Sequence, residues 1–292
     1  MTKTEEQIDQ FRPMLFSIAY NMLGSVADAE DMVQETYASW LKTEKGHGEN
    51  PKFYLIRSVS NKSLTFLKKI KQERKAYLGT WLPEPLFTQP NENSNDIKTD
   101  LSIGFKYLLE KLTPMERGVT ILREAFDLQY SEIAEIFDIA EDNCRQYLSR
   151  AKKKLQLEKS RYTVDKKEHE EILRKFLDAS LSKNIDGIID LLREDVTAYG
   201  DGGGKSPAIL HPLSGKDNVL GLLLGGKGKS RPVYRMEILS ANGLSCAAFY
   251  QTNKDTTPDI LISIDIDDKK KISNIYYLAN PEKLQHLSHK NF

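Results

Sequence analysis

The sequence predicts a multidomain chain in which two all-α domains precede one α+β domain, and three observations carry this. The length, 292 residues, exceeds what one small helical core requires. Apolar residues recur at helical spacing through 1–76 and again through 101–158, on either side of a stretch rich in Pro and Asn. After 165, two amphipathic helices give way to strands, with Ile260, Ile262, Ile264 and Ile266 alternating against Leu261, Ser263 and Asp265. The expected divisions are therefore 1–76, a linker at 77–100, 101–160 and 161–292.

The first helix buries Phe11, Leu15, Ile18, Ala19 and Met22 and stops at Gly24. Ser25, followed three residues later by Asp28, restarts the chain as a capped helix over 26–41. That helix buries Ala29, Met32, Val33, Thr36 and Trp40 and turns Asp28, Asp31 and Glu35 to another side. A polar stretch ends at Pro51, and 52–75 follows as a basic helix with Phe53 and Tyr54 near its start.

In the linker, Tyr77 to Phe87 is apolar and holds Trp81, one of only two tryptophans. It reads either as a flap on its own domain or as a docking strip for another, since leaving it exposed is unfavourable. Thr113-Pro114-Met115-Glu116 is a capping box with Pro at the first helical position. A helix at 131–137, a turn at Asp138-Ile139-Ala140 and a helix at 141–155 then form a helix-turn-helix by spacing.

In the last part, one helix carries Ile172, Leu173, Phe176, Leu177 and Ser180 on one face. A second, capped by Asn184, carries Ile185, Ile188, Ile189 and Leu192. Strands are expected at 233–239, 244–250 and 272–278, giving a curved antiparallel sheet.

Formal charge is zero, with 42 basic and 42 acidic side chains, so no bulk basic footprint for nucleic acid exists. The charge is local instead. Segment 52–75 holds eight Lys/Arg against one Glu, and 145–159 holds six against one. Cys144 and Cys246 are far apart in sequence with no clustered His, so neither a disulfide framework nor a zinc site is expected. Neither a signal segment nor an apolar run of spanning length is present, and a cytoplasmic protein without a membrane partner is expected.

In the last helix of the helix-turn-helix, Cys144, Leu148, Ala151 and Leu155 point inward. Asp142, Asn143, Gln146, Ser149, Arg150 and Lys153 are then displayed on the opposite face, with Arg145 and Lys152 flanking. Such a helix meets base edges near its N-terminus and phosphates further along. An ordinary charged surface helix is the alternative, and the preceding helix and turn favour DNA. Ala140 in place of a Ser or Thr cap, and Asp138 in place of Gly, each cost up to about 1 kcal/mol. In the basic helix, a face of Lys, Arg and Asn beside a polar loop suits a single-stranded partner, because cations meet phosphates while bases stack or enter pockets. The alternative is that Phe53 and Tyr54 are core, the commoner fate of aromatics at a helix start.

The run Ser25-Val26-Ala27-Asp28-Ala29-Glu30-Asp31-Met32-Val33-Gln34-Glu35-Thr36-Tyr37 resembles the core-binding helix of region two in extracytoplasmic-function sigma factors, and 101–158 resembles their region four. The resemblance implies that Asp28, Asp31, Gln34 and Glu35 bind the clamp of the polymerase beta-prime subunit. It likewise assigns Arg57, Asn61, Lys62, Lys68 and Lys69 to the minus-ten element, and the helix from 141 to the minus-thirty-five element. Implied partners are core RNA polymerase, through the beta-prime clamp and the beta flap, and promoter DNA. The chain departs from many members at Thr65, where Asp is frequent, and uses Lys68 and Lys69 where Arg is frequent.

Three further motifs narrow the group: Trp81-Leu82-Pro83-Glu84-Pro85, Asp201-Gly202-Gly203-Gly204-Lys205 and Asn280-Pro281-Glu282-Lys283-Leu284. Together they resemble sigma factors with a fused SnoaL-like, nuclear-transport-factor-like cone that regulates in place of a separate anti-sigma protein. By this resemblance the fold is a region-two helical bundle, a region-four helix-turn-helix and an α+β cone. The glycines at 202–204 let that loop lie close against a partner backbone, with Asp201 and Lys205 left to pair with polar groups. The cone is expected to contact the Trp81 strip on the region-two side.

No cofactor or metal is expected. Cones of this class hold small molecules, so an unidentified ligand is a further expected partner. Tyr199, Asp201, His211 and Tyr234 are the residues to inspect for acid-base chemistry, but no matched pair is visible and the chain is expected not to be an enzyme.

Overall fold

The computed structural model describes residues 8–42, 50–87, 101–155, 165–224, 233–252 and 257–287. They fall into two compact units. The first holds the described residues up to Ala76, Leu101 and those from Leu108 to 155, and the second holds Tyr77 to 87, Ser102–Tyr107 and everything from 165 on. The linker residues 77–87, and residues 102–107 at the start of the segment expected as 101–160, thus belong to the C-terminal unit.

In the first unit, α1 (Arg12–Leu23) ends on Gly24 in the left-handed conformation, with φ 72°. Next, α2 (Val26–Lys42) buries Ala29, Met32, Val33, Thr36 and Trp40, the stripe its spacing predicts. Asn50 caps α3 (Pro51–Glu73), accepting from the Phe53 amide, and Pro51 sits where its missing N–H costs nothing. These three helices pack on one another.

The chain returns in α4 (Ile103–Leu109), whose last two residues lie in this unit. Then follow α5 (Pro114–Glu124), opened by the Thr113/Glu116 capping box, α6 (Tyr130–Phe137) and α7 (Glu141–Leu155). Asp138 takes the left-handed turn with φ 53°, the strained role the sequence reserves for Gly. Gly118 in α5 is needed for packing, because a Cβ there would stand 2.9 Å from the Phe137 ring.

The second unit is a six-stranded sheet in the order β2-β1-β6-β5-β4-β3, with β1 Leu192–Asp201, β2 Leu213–Ser214, β3 Tyr234–Ala241, β4 Leu244–Gln251, β5 Ile260–Ile266 and β6 Ile272–Leu278. The expectation of a wholly antiparallel sheet is corrected, since β1 runs parallel to β6. Strand β1 and helix α10 (Lys216–Leu224) were not anticipated. Leu192 opens the strand instead of lining the helix α9 (Ile185–Leu191), where Ile188 is buried and Ile185 remains 46 % exposed.

Alternation along the strands gives the sheet two apolar faces. One receives α8 (Lys166–Ser182), α9 and α10 over Val196, Ala198, Ala247, Ile264 and Ile275. The other, with Cys246, Leu261, Tyr276 and Leu278, is covered by Leu82 of the linker, by Ile103 of α4 and by Leu284 of α11 (Pro281–Leu284).

Candidate functional site

Three surfaces carry the chemistry. On α2, Ser25 accepts from the Asp28 amide at 3.4 Å. Asp31, Gln34 and Glu35 are exposed and Asp28 is half-buried. Burial pushes the Asp28 carboxyl up, against the Ser25 hydrogen bond and the Arg74 charge that favour ionisation. Glu35 pairs with Lys62 of α3 at 3.4 Å, which joins the acidic face to the basic helix.

Along α3, Arg57, Lys68 and Lys69 point to solvent. Asn61 does not stand free. Its amide donates to the Arg57 carbonyl at 2.9 Å and to the Ile136 carbonyl of α6 at 2.6 Å. Beyond the C-terminal end of α3, Glu110 is bracketed by Arg74 at 2.8 Å and by the buried Arg117. Burial alone would raise the Glu110 carboxyl; the two guanidiniums outweigh it and hold it below the ordinary value. Arg74 also donates to the Leu23 carbonyl at 2.6 Å, and Arg117 to that of Asn21 at 3.4 Å. Neither Glu110 nor these arginines was anticipated, because spacing alone does not show that one carboxylate meets two distant cations.

In the helix-turn-helix, Cys144, Leu148, Ala151 and Leu155 are buried, while Asp142, Asn143, Arg145, Gln146, Arg150 and Lys153 are exposed. Lys152 and Lys154 are turned back onto α5, pairing with Glu124 at 2.8 Å and Glu116 at 2.7 Å. The Arg145 guanidinium lies 4.3 Å from the centre of the Tyr130 ring.

In the C-terminal unit the three short motifs meet. Asp201, fully buried at the end of β1, accepts from the Leu82 amide at 2.9 Å, the Tyr77 hydroxyl at 2.6 Å and the Lys283 ammonium at 2.7 Å. Lys283 also donates to the Leu82 carbonyl and lies 4.0 Å from the centre of the Trp81 ring. Asn280 donates to the Tyr77 oxygen at 2.8 Å and caps α11. Burial and hydrogen bonding to Asp201 hold the Tyr77 phenol far above its ordinary range.

Pro83 and Pro85 are buried, Trp81 and Glu84 are half-buried, and Pro281 is exposed. Lys205 pairs with Glu282 on the exposed rim. The glycines are close-packed: a Cβ on Gly202 would stand 2.0 Å from the Ser206 carbonyl oxygen, and one on Gly203 2.4 Å from the Asn280 side chain.

Several contributors escaped sequence reading. Tyr77 opens the apolar strip but lies outside the Trp81–Pro85 motif, and its bond to Asp201 was not expected. Asn242, in the tight turn between β3 and β4, accepts from the Leu86 amide at 3.1 Å, and His286 bonds the Pro85 carbonyl at 2.7 Å. Asp265 accepts from Tyr276 at 2.8 Å and from Asn274 at 3.2 Å, and its carboxylate lies against Gly104, where a Cβ would stand 2.3 Å away. The Asn242-Gly243 pair was a legible turn signal, but its role towards the strip was not.

The residues inspected for acid-base work do not converge. Asp201 is consumed by the junction, Tyr199 stacks on Tyr276 with ring centroids 5.4 Å apart, His211 is exposed, and Tyr234 opens β3 at the far edge of the sheet. A cleft of about 720 Å³ is lined by Lys205, Tyr234, Asp259, Tyr277 and Glu282 among others. Among the described residues no group of three or more His, Cys, Asp or Glu is placed to hold a metal ion, and no helix is long and apolar enough to cross a membrane.

Family models match in two places, Sigma-70 region 2 over residues 7–73 and Sigma-70 region 4 over residues 105–155. The chain is 31 % identical over 224 residues to the ECF RNA polymerase sigma factor SigJ of Mycobacterium tuberculosis, covering 75 % of this chain and 72 % of that protein. The chain belongs to the extracytoplasmic-function sigma factors.

This sigma factor is also 27 % identical over 194 residues to the probable ECF sigma factor SigI of Mycobacterium tuberculosis, covering 65 % of this chain and 67 % of that one. The crystal structure of Mycobacterium tuberculosis SigJ superposes with a TM-score of 0.71 at 26 % identity, covering 95 % of this sigma factor and 97 % of that chain. As a sigma factor it directs RNA polymerase to promoters. Members of the family act without catalysis, binding core polymerase and promoter DNA. The α+β C-terminal unit is part of the likeness, because the superposition extends over nearly the whole chain.

Proposed function

We propose that Asp28, Asp31, Gln34 and Glu35 dock this sigma factor on the polymerase beta-prime clamp. Arg57, Asn61, Lys62, Lys68 and Lys69 then capture the minus-ten strand. The exposed face of α7, from Asp142 to Lys153, reads the minus-thirty-five duplex, with the beta flap as its polymerase contact. The chain performs no catalysis of its own and works in the bacterial cytoplasm.

The C-terminal unit modulates this activity by holding the chain between the two DNA-binding regions. The observation that carries the reading is the Asp201 junction, in which Asp201, Lys283 and Asn280 bind Tyr77 and Leu82 directly. Both regions are connected through residues that belong to the C-terminal unit, so gripping or releasing 77–87 changes the length of free chain between them. Whatever binds one arrangement better shifts the population. The cleft bordered by Lys205 and Glu282 gives a small molecule a place to act on two of the three motifs.

The test is run-off transcription with core polymerase, comparing the full chain with chains ending at Lys205 and at Ser160. Differing activities are expected. Equal activity of all three would remove the regulatory role from the C-terminal unit.

A further inference from the structure

Tyr130 opens α6, the first helix of the helix-turn-helix, and its ring is flanked by two guanidiniums. Arg123 of α5 lies 5.0 Å from the ring centre and Arg145 of α7 lies 4.3 Å from it. The two arginines differ in their other contacts. Arg123 is tied to the α5–α6 turn, donating to the Leu128 carbonyl at 2.8 Å and pairing with Asp127 at 3.6 Å, and its side chain is only 26 % exposed. Arg145 reaches outward, 54 % exposed, with Glu141 one turn behind it at 3.3 Å.

A guanidinium stacked on an aromatic face keeps the N–H donors at its rim free, and those donors are the ones that pair in bidentate fashion with guanine. A flexible arginine must be ordered when it meets a base; one already stacked meets the base with less freedom to lose. Both guanidiniums lie over the one ring, and Arg145 also donates to Glu141 one turn behind it.

We propose that Tyr130 is a positioning residue for promoter selectivity, holding Arg145 in the plane from which it reads a base pair of the minus-thirty-five element. This rests on the assignment of α7 to that element. It adds a residue from the first helix of the motif, outside the helix that enters the groove.

The experiment is run-off transcription by holoenzyme assembled from core polymerase and the full chain, on templates carrying every single substitution in the minus-thirty-five element. Arg145→Ala identifies the base pair that Arg145 reads. Tyr130→Leu is expected to reduce discrimination at that same base pair by about two- to fivefold, the range of an exposed cation–π contact, and to leave the other positions unchanged. Tyr130→Phe, which keeps the ring, retains full discrimination. Arg145→Lys keeps the charge without the planar stack and loses selectivity at the same position, so the proposal stays testable even if Tyr130→Leu does not fold.

A uniform loss on all templates for Tyr130→Leu, or full selectivity in Arg145→Lys, overturns the role of Tyr130 and leaves the assignment of α7 standing. Unchanged selectivity in Arg145→Ala overturns the proposal as well, and leaves the α7 assignment to its other exposed residues.

Discussion

The Asn61 amide donates to the Ile136 carbonyl at 2.6 Å, so a side chain of the basic helix α3 is engaged by the end of α6. A donor in this bond is not available to a base. If Asn61 reads the minus-ten strand, α3 and α6 separate when polymerase binds. Fluorophores placed through Lys68→Cys and Gln146→Cys are expected to lose energy transfer on addition of core polymerase. Unchanged transfer would show that the pairing of these helices persists in the holoenzyme.

Glu110 sets an acid limit on a different contact of the first unit, where it joins Arg74, after α3, to Arg117 of α5. Its carboxyl is held below the ordinary value of 4.5 by Arg117 and Arg74 against the opposing effect of burial. A depressed carboxylate contributes stability that is present above the unfolded value and is lost as pH falls through the folded one. The first unit should therefore weaken below about pH 4.5, and Glu110→Gln should reduce that pH dependence, leaving the share of Glu116, which is lowered as well. Breaking one partner of a buried pair costs on the order of 3 kcal/mol, with some reduction here because Glu110 retains 20 % exposure. Urea unfolding of both proteins between pH 3.5 and 7 measures it.

Asp201→Asn leaves the Lys283 ammonium buried without its counter-charge, and the expected loss is about 3–5 kcal/mol. The strip around Trp81 should loosen with it, since Lys283 is held between Asp201, the Leu82 carbonyl and the Trp81 ring. In a Trp40→Phe background, Trp81 emission is expected to move to the red. A double substitution, Asp201→Asn with Lys283→Met, should recover part of the stability. Equal emission in parent and variant would mean that Asp201 does not hold the strip.

The loop glycines should rank by what surrounds them. Gly202→Ala meets a backbone oxygen at 2.0 Å and has no flexible neighbour to displace, so it should lower the melting temperature most. Gly204→Ala meets only the Leu78 side chain at 3.2 Å and carries mainly the left-handed penalty at φ 71°, about 1–2 kcal/mol. Thermal melts of the two variants give the order, and the reverse order would contradict the packing of this loop.

The helices of the first unit were legible because their signals are local. Stripes such as Ala29, Met32, Val33, Thr36 and Trp40, and caps such as Thr113 with Glu116, depend on neighbours a few residues away. Strand β1 was harder to read. Val196 and Ala198 alternate only briefly, among charged residues and directly after a helix, so the period-two pattern was too short to stand out.

By itself the sequence determined the helix-turn-helix, the basic and acidic faces, and the identity of the three short motifs. Tertiary structure alone decided what those motifs do to one another. Asp201 meets Leu82 and Lys283 across 119 and 82 residues of chain, and the apolar strip is laid on the second face of the sheet. The reason is physical: periodicity and capping are fixed over one or two turns of backbone, whereas the partner of a buried charge is chosen by which surfaces pack together to exclude water.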